Sequence, residues 1–564
     1  MNIFKFTIKI IGQFLFVIIF LFTSQAKSLD KFNKGERVSD YFSGILLLNE
    51  NQYDESFRYL KKLNGLETSH INYSVKYLYS LVNSGNFKEA LNYSKKLEKQ
   101  KLDSFESHLI AGVFYLKNSN LELAKKYFLK ARNNNSNFIL NNYVSSSLYN
   151  WSNLKESNIN QALFELKKLD ERFENFKKIQ NVFINCYFNS QDTKDLFHQM
   201  TSDEKTDFSR YNYFYASYLA NLEEIDQAKK IVESALEFYP RNLLLNQYKI
   251  DLNLNKDINA FNCKKEEHAI AEILYITANA LSTQSIYPLS NFYLNLAKYL
   301  NEDFHSYDTL LAENFYKVNN YKKAKKIYYN LGKEGKAYKW YSSKQLARIL
   351  LREEKKTKAL KLFSRAYDDL ENKDIYKTFD FAEFLKNNEE FKKSITYYSS
   401  VINEVEEKHP LYAEATDGRG VAYERIGEWN KAETDLLSSL KADPKQAYVI
   451  NYLAYSWIEK GIKIKKSLRM LENANKLKSN DPFIIDSLGW ALFKLKRYVE
   501  AKNYLQQAVR LMPGDPIVND HFGDALWKNG NEIQARYYWN YVLSLEKTEV
   551  ELKQKIEEKL IRGL

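Results

Sequence analysis

Apolar and small residues recur along this chain at helical spacing, and the helices they predict come in pairs. Between Ile485 and Pro513 those positions are Ile485, Leu488, Gly489 and Leu492, then, beyond a polar turn, Ala501, Leu505 and Ala508. Separations of three and four residues put each set on one face of a helix. Pro513, which lacks an N–H and clashes with the preceding turn, ends the second helix. The next stretch repeats the order as Asn519, Phe522, Gly523, Leu526, Ala535, Trp539 and Val542, a period of 535 − 501 = 34 residues. Small Gly489, Ala491 and Ala501 let two antiparallel helices approach, while Leu492, Tyr498 and Leu505 fill the surrounding space. Ala508 leaves room for the next pair, because one helix pair cannot bury its own apolar face.

The small residue of the second helix is a ruler for the whole chain. It falls at Ser56, Ala90 and Ala124, at an isolated Ala228 in a copy ending at Pro240, at Ser290, Ala324, Ala359 and Ser394, and at Ala432, Ser467, Ala501 and Ala535. Twelve copies are clear. Residues 139–208 keep helical periodicity around Ala162 and Val182 to Tyr187 without the small-residue code, and predict one or two degenerate repeats. Residues 243–270 are too short for a full repeat, so both stretches are candidate joints, or simple drift within an unchanged stack. The resulting organisation is an N-terminal repeat block (37–138), the degenerate segment (139–208), a central block (209–404) with its joint at 243–270, a C-terminal block (413–545) and a charged capping helix (546–564), which a stack needs to cover its last apolar face.

The 34-residue period and this residue order resemble the tetratricopeptide repeat over nearly the whole chain, most strongly from Ala413 to Leu545. NYLAYSWIEKG, DSLGWALFKLKRY and NDHFGDALWKNGN resemble more closely a group of exported alphaproteobacterial repeat proteins. The resemblance implies an all-α fold, a right-handed superhelical solenoid of stacked antiparallel helix pairs. It also implies a concave groove lined by the first helices, at positions two, five, six, nine and twelve of each repeat. Carried over, these positions are Tyr448, Asn451, Tyr452 and Tyr455, then Asp486, Trp490 and Phe493, then Asp520, His521, Asp524 and Trp527. Family members that capture a C-terminal carboxylate use Lys, Arg and Asn there, and only Asn451 fits. The groove reads as acidic and aromatic, suited to a basic or neutral segment bearing aromatics. The alternative places Trp490 and Trp527 between repeats and leaves the aspartates to cap or solvate helix starts.

Composition adjusts this picture in three places. Only 17 Gly and 7 Pro in 564 residues mean short loops and a nearly all-helical chain. The net charge of +12 falls to +10 without residues 1–26, which carry Lys5 and Lys9 and no acid. The basic residues are scattered as pairs such as Lys95-Lys96 and Lys325-Lys326, which read as a solvated face. The partners expected are proteins or peptide segments, with peripheral association to a membrane surface and no nucleic acid. Third, Lys5 and Lys9 precede the uncharged Ile10 to Phe22, followed by Ser24-Gln25-Ala26, the three parts of a secretory signal. Cleavage after Ala26 is expected, with Ile3 to Phe22 as an uncleaved anchor the alternative; no Cys follows the apolar run to carry a lipid.

Export would expose Cys186 and Cys263 to an oxidising compartment. They lie 263 − 186 = 77 residues apart, about two repeats, which in a regular stack disfavours contact, so they read first as two small buried residues; because they bracket the irregular region, a disulfide is the alternative. The seven histidines show no HExxH or paired metal-ligand spacing, and neither a nucleophile elbow nor a phosphate loop occurs. Asp520, His521 and Asp524 could serve a metal but lack a second His or a Cys, and a hydrogen bond explains them. No cofactor and no catalytic residue is expected. The sequence therefore predicts a non-catalytic interaction scaffold of the bacterial cell envelope, periplasmic or exported. The alternative is an inner-membrane-anchored adaptor or chaperone-like subunit of an envelope enzyme or export complex.

Overall fold

The computed structural model describes residues 35–564 except 135–137, 204–205 and 257–259, so the expected signal segment lies outside the described residues. Among the described residues there are thirty α-helices and no β-strand. None is long and apolar enough to cross a membrane. The pair Pro482–Lys494 and Tyr498–Leu511 shows how the sequence builds a repeat. Asp481 caps the first helix by accepting the N–H groups of Phe483 and Ile484, and Pro482 occupies a position where no N–H is needed. A Cβ on Gly489 would stand 2.6 Å from Leu505, so only glycine allows this approach. Between the two helices one residue takes a left-handed conformation, Lys496 here and Gly530 in the next pair. That device returns at Gly85, Ser119, Asn319, Glu354, Glu389, Gly427 and Gly461, on the same ruler as the small residues.

The chain forms two compact units, residues 1–362 and 363–564, the division falling inside helix Lys356–Asp368. In the first unit the N-terminal pairs stack in sequence from Gly35–Asn49 to Leu121–Asn133. Helix Tyr287–Leu300 then lies against their first helices Ile71–Asn83 and Phe105–Lys117. Helix Glu266–Thr283 likewise packs against Ile139–Ser152. The seal is aromatic and polar at once. Tyr299 stacks on Phe87 with ring centroids 4.0 Å apart, and Phe292 meets Tyr79 at 4.8 Å. Beside them the fully buried Asn291 donates to the Tyr53 hydroxyl at 2.7 Å and to Asn51 Oδ1 at 3.3 Å, and accepts from Asn314 Nδ2 at 2.8 Å. Asn295 donates to Asn83 Oδ1 at 3.0 Å, and Lys323 pairs with Asp54 at 3.2 Å. The first-helix face that a repeat stack ordinarily leaves open is here filled by a later part of the same chain.

The irregular region explains how the chain returns. Residues 139–208 form two pairs whose second helices, Ile159–Lys167 and Thr193–Thr201, are nine residues each. After helix Leu243–Asn253 the chain runs back to helix Glu174–Tyr187. There Phe261 sits between Phe183 and Phe214, at 5.0 and 4.5 Å, and Lys264 Nζ donates to the Tyr187 carbonyl at 2.8 Å. This return brings Cys186 and Cys263 together, Cα atoms 6.0 Å apart, as a disulfide. The expectation of two unpaired cysteines fails because it assumed an unbroken stack, in which two repeats of sequence are two repeats of distance.

The second unit continues the pairs from Ile375–Asn387 to Glu532–Ser544 and closes with helix Val550–Arg562, which packs on Glu532–Ser544. Its apolar surface is buried at Ile556.

Two outcomes follow for the first unit. Asn291→Ala should lower unfolding free energy by about 1–3 kcal/mol in urea titration, because Tyr53 and Asn314 would each lose one of their buried hydrogen bonds. Cys263→Ser should cost about 2–4 kcal/mol through release of the 77-residue loop, measured by the same titration with and without reductant, the parent losing stability on reduction and the variant not.

Candidate functional site

The predicted groove residues of the last two complete pairs are brought together, but around one another. Asp486 and His521, both at least nine-tenths buried, pair through His521 Nδ1 at 3.0 Å. The His521 ring lies flat on Trp490, centroids 3.9 Å apart at 12°, and Trp490 stacks in turn on Phe493 at 4.8 Å. Trp490 Nε1 donates to Glu459 at 2.6 Å. Burial works to lower the His521 pKa; Asp486, with Asp520 and Asp524, outweighs it and holds the imidazole above its ordinary 6.5.

Helix Val550–Arg562 supplies the remaining countercharge. Lys559 Nζ reaches Asp520 at 2.6 Å and Asp524 at 2.7 Å, and Trp539 Nε1 donates to Asp524 at 3.1 Å. Burial and Asp520 push the Asp524 carboxyl up to about 6 against the pull of Lys559. Gly563 lies on the Trp527 ring so closely that a Cβ would stand 2.0 Å from it, and Lys528 Nζ donates to the Leu564 carbonyl at 3.1 Å. Asp486, Asp520, His521, Asp524 and Trp527 are thus engaged by the chain itself. Capping, which the sequence assigned to Asp486 and Asp520 as an alternative, falls instead to Asp481 and Asp515, the N-cap residues of these two helices.

One repeat upstream the same face is less occupied. Tyr448 is 53% exposed, its hydroxyl donating to Asp481 at 2.8 Å and accepting from Lys478, whose ammonium lies over the ring. Tyr452 donates to Glu424 at 2.9 Å, and Asn451 keeps a buried Oδ1 without a hydrogen bond. Tyr455 is raised by burial and by Glu459 and Asp486. Counting the groove positions from Ala413 adds residues not singled out from sequence: exposed Glu414, half-buried Asp417 and Glu424. Phe483, at position two of the following repeat, is 53% exposed. Asp417 accepts no hydrogen bond, and burial, with Glu383 adding to it and Lys386 opposing, pushes its carboxyl up to about 6. The signal that would have found these residues was the same ruler, applied one step earlier.

Among the described residues no group of three or more His, Cys, Asp and Glu is placed to hold a metal. The pH response of this unit follows from its buried network. A His pKa raised on folding contributes stability that is complete below about 6.5 and is lost as pH rises through the folded value. The raised Asp524 acts in the same sense between its ordinary 3.8 and about 6. The melting temperature of the second unit should therefore fall as pH rises from 5 to 8, and His521→Gln should flatten the part above pH 6.5, read by calorimetry.

Comparison with known proteins completes the description. Residues 298–548 match the model of the tetratricopeptide repeat family. A TPR repeat-containing protein of Pseudomonas aeruginosa is 26% identical over 125 residues, 22% of this chain and 20% of that protein, so the match spans about a fifth of the relative's length. Similar solved structures include the Cut9–Hcn1 hetero-tetramer of APC/C, at 15% identity, covering 94% of this chain and 96% of that chain, with TM-score 0.37. Another is YrrB, described as a TPR protein with an unusual peptide-binding site, at 18% identity, 35% of this chain and 97% of that chain, TM-score 0.28. Pseudomonas aeruginosa pilF is similar at 17% identity, 34% and 85%, TM-score 0.29.

Proposed function

We propose, from the premise that this is a tetratricopeptide repeat protein, that it is a non-catalytic scaffold binding a basic partner segment along the first helices between Ala413 and Phe493. One observation carries the reading. Asp417 is a half-buried carboxylate with no hydrogen-bonded partner, on the helix Pro410–Arg425 that begins that face. A carboxylate kept from water gains most from a cation brought to it. Glu414 and Glu424 flank it, while Tyr448, Tyr455 and Phe483 offer aromatic surface nearby. The first-helix face of the N-terminal repeats offers no comparable opening, being covered by helix Tyr287–Leu300.

The cell envelope is the compartment we favour. The Cys186–Cys263 disulfide suits an oxidising compartment, and the basic start with a short apolar run suits export. Such a protein would hold envelope components together through their segments rather than act on them.

A Lys-rich peptide bearing aromatics should bind the full chain with an affinity that falls with salt. The double variant Asp417→Asn, Glu414→Gln should weaken it by about tenfold or more without lowering the melting temperature, since the buried Asp417 charge disfavours the folded state near neutral pH. Fluorescence anisotropy at two ionic strengths checks this; equal affinity in parent and variant would remove the reading.

A further inference from the structure

Apart from the groove, the first unit holds a cavity of about 250 Å³ bordered by Arg210, Leu243, Leu244, Tyr275, Ser306 and Tyr338. One water takes about 30 Å³, so the space accommodates a group larger than a bare ion.

Its walls are rich in donors. Arg210 is the N-cap residue of helix Tyr211–Asn221, and its guanidinium lies 3.9 Å over the Tyr275 ring. Glu272 engages Nε and Nη2 at 2.8 and 2.9 Å. Of the five guanidinium hydrogens, that fork leaves three without a protein acceptor. Helix Leu243–Asn253 begins at the cavity, and the N–H groups of Leu243 and Leu244, its first two residues, have no intrahelical acceptor. Helix Ser306–Lys317 begins there too, and the side chain of its N-cap residue His305 makes no capping bond.

Helix starts alone would not make a site, but the hydroxyls of two largely buried residues point the same way. Tyr338 is 5% exposed and Ser306 is 6% exposed, both border the cavity, and neither side chain makes a hydrogen bond to another part of the protein. Neither hydroxyl oxygen is fully enclosed by protein, so each opens onto the cavity and takes its partner from whatever occupies that space. Tyr338 is held there because its neighbour Ala337 donates its N–H to Gln247 Oε1 at 3.0 Å, tying helix Lys336–Arg352 to helix Leu243–Asn253.

We infer that this cavity is a binding site for an oxyanion-bearing ligand, a carboxylate or a phosphate, held by Arg210, Ser306 and Tyr338 with the helix start at Leu243. The charge of Arg210 is balanced by Glu272, so recognition rests on the excess of N–H and O–H donors and on the positive helix ends. Leu243, Leu244 and the Tyr275 ring take the apolar remainder of the ligand.

The test uses the full chain, with inorganic phosphate and acetate as probes against chloride at equal ionic strength. Thermal shift and titration calorimetry should show saturable binding of one probe or both, the stronger identifying phosphoryl or carboxyl as the preferred group. Tyr338→Phe and Ser306→Ala should each weaken binding by about tenfold, the loss of one hydrogen bond to a charged group. Both variants should melt as the parent does in chloride, since neither hydroxyl bonds to the protein. Binding no tighter than chloride for both probes, or unchanged binding in both variants, would overturn the assignment.

Discussion

The separation of two antiparallel helices is the quantity on which this structure rests, and a small side chain sets it in every clear repeat. Ser56, Ala90, Ala124, Ala228, Ser290, Ala324, Ala359, Ser394, Ala432, Ser467, Ala501 and Ala535 are all 0% exposed. Each sits where the facing helix leaves no volume for a longer chain. Two of the four serines among them also hydrogen-bond at the contact: Ser56 and Ser290 donate across to the carbonyls of Gly44 and Ala278 at 2.8 and 2.7 Å. With the separation fixed, large residues such as Trp151, Trp457 and Trp539 pack completely, and each pair presents the next with a surface of the same shape.

What such a stack does next depends on whether its first-helix face stays open. In the first unit the face is used internally, by rings and amides of helix Tyr287–Leu300 that reach residues more than 200 positions away. In the second unit the last turn of the face is closed by Lys559 and Gly563, while the stretch around Asp417 keeps a carboxylate that accepts no hydrogen bond. The open first-helix face is thereby confined to the part of the second unit's repeats that the chain does not cover with its own residues.

The repeat register was legible because helix pairing writes a period into the sequence, and the twelve ruler positions were readable from spacing alone. Contacts outside that period left no such trace. Nothing near Asp520 and Asp524 announces Lys559, 39 and 35 residues on, and nothing at Asn291 announces Tyr53. The Cys186–Cys263 disulfide was the less favoured of two readings for the same reason, since a period measures distance only along an unbroken stack. The groove positions were correctly counted onto first helices, but counting cannot tell a face turned to solvent from one turned to the chain's own terminal helix. The left-handed residue between paired helices was also hidden, because Ser119, Asn319, Glu354, Glu389 and Lys496 occupy a conformation that glycine would have advertised.

The asparagine seam in the first unit sets a schedule. Tyr53 and Asn291 are 238 residues apart, and at about 5–20 residues per second a ribosome needs roughly 10–50 s to supply the second after the first. Through that interval the N-terminal pairs stand complete as local structure, yet with Tyr79, Phe87 and Phe114 uncovered. Most repeat proteins fold outward from neighbour to neighbour, whereas here the earliest repeats must wait for a distant segment.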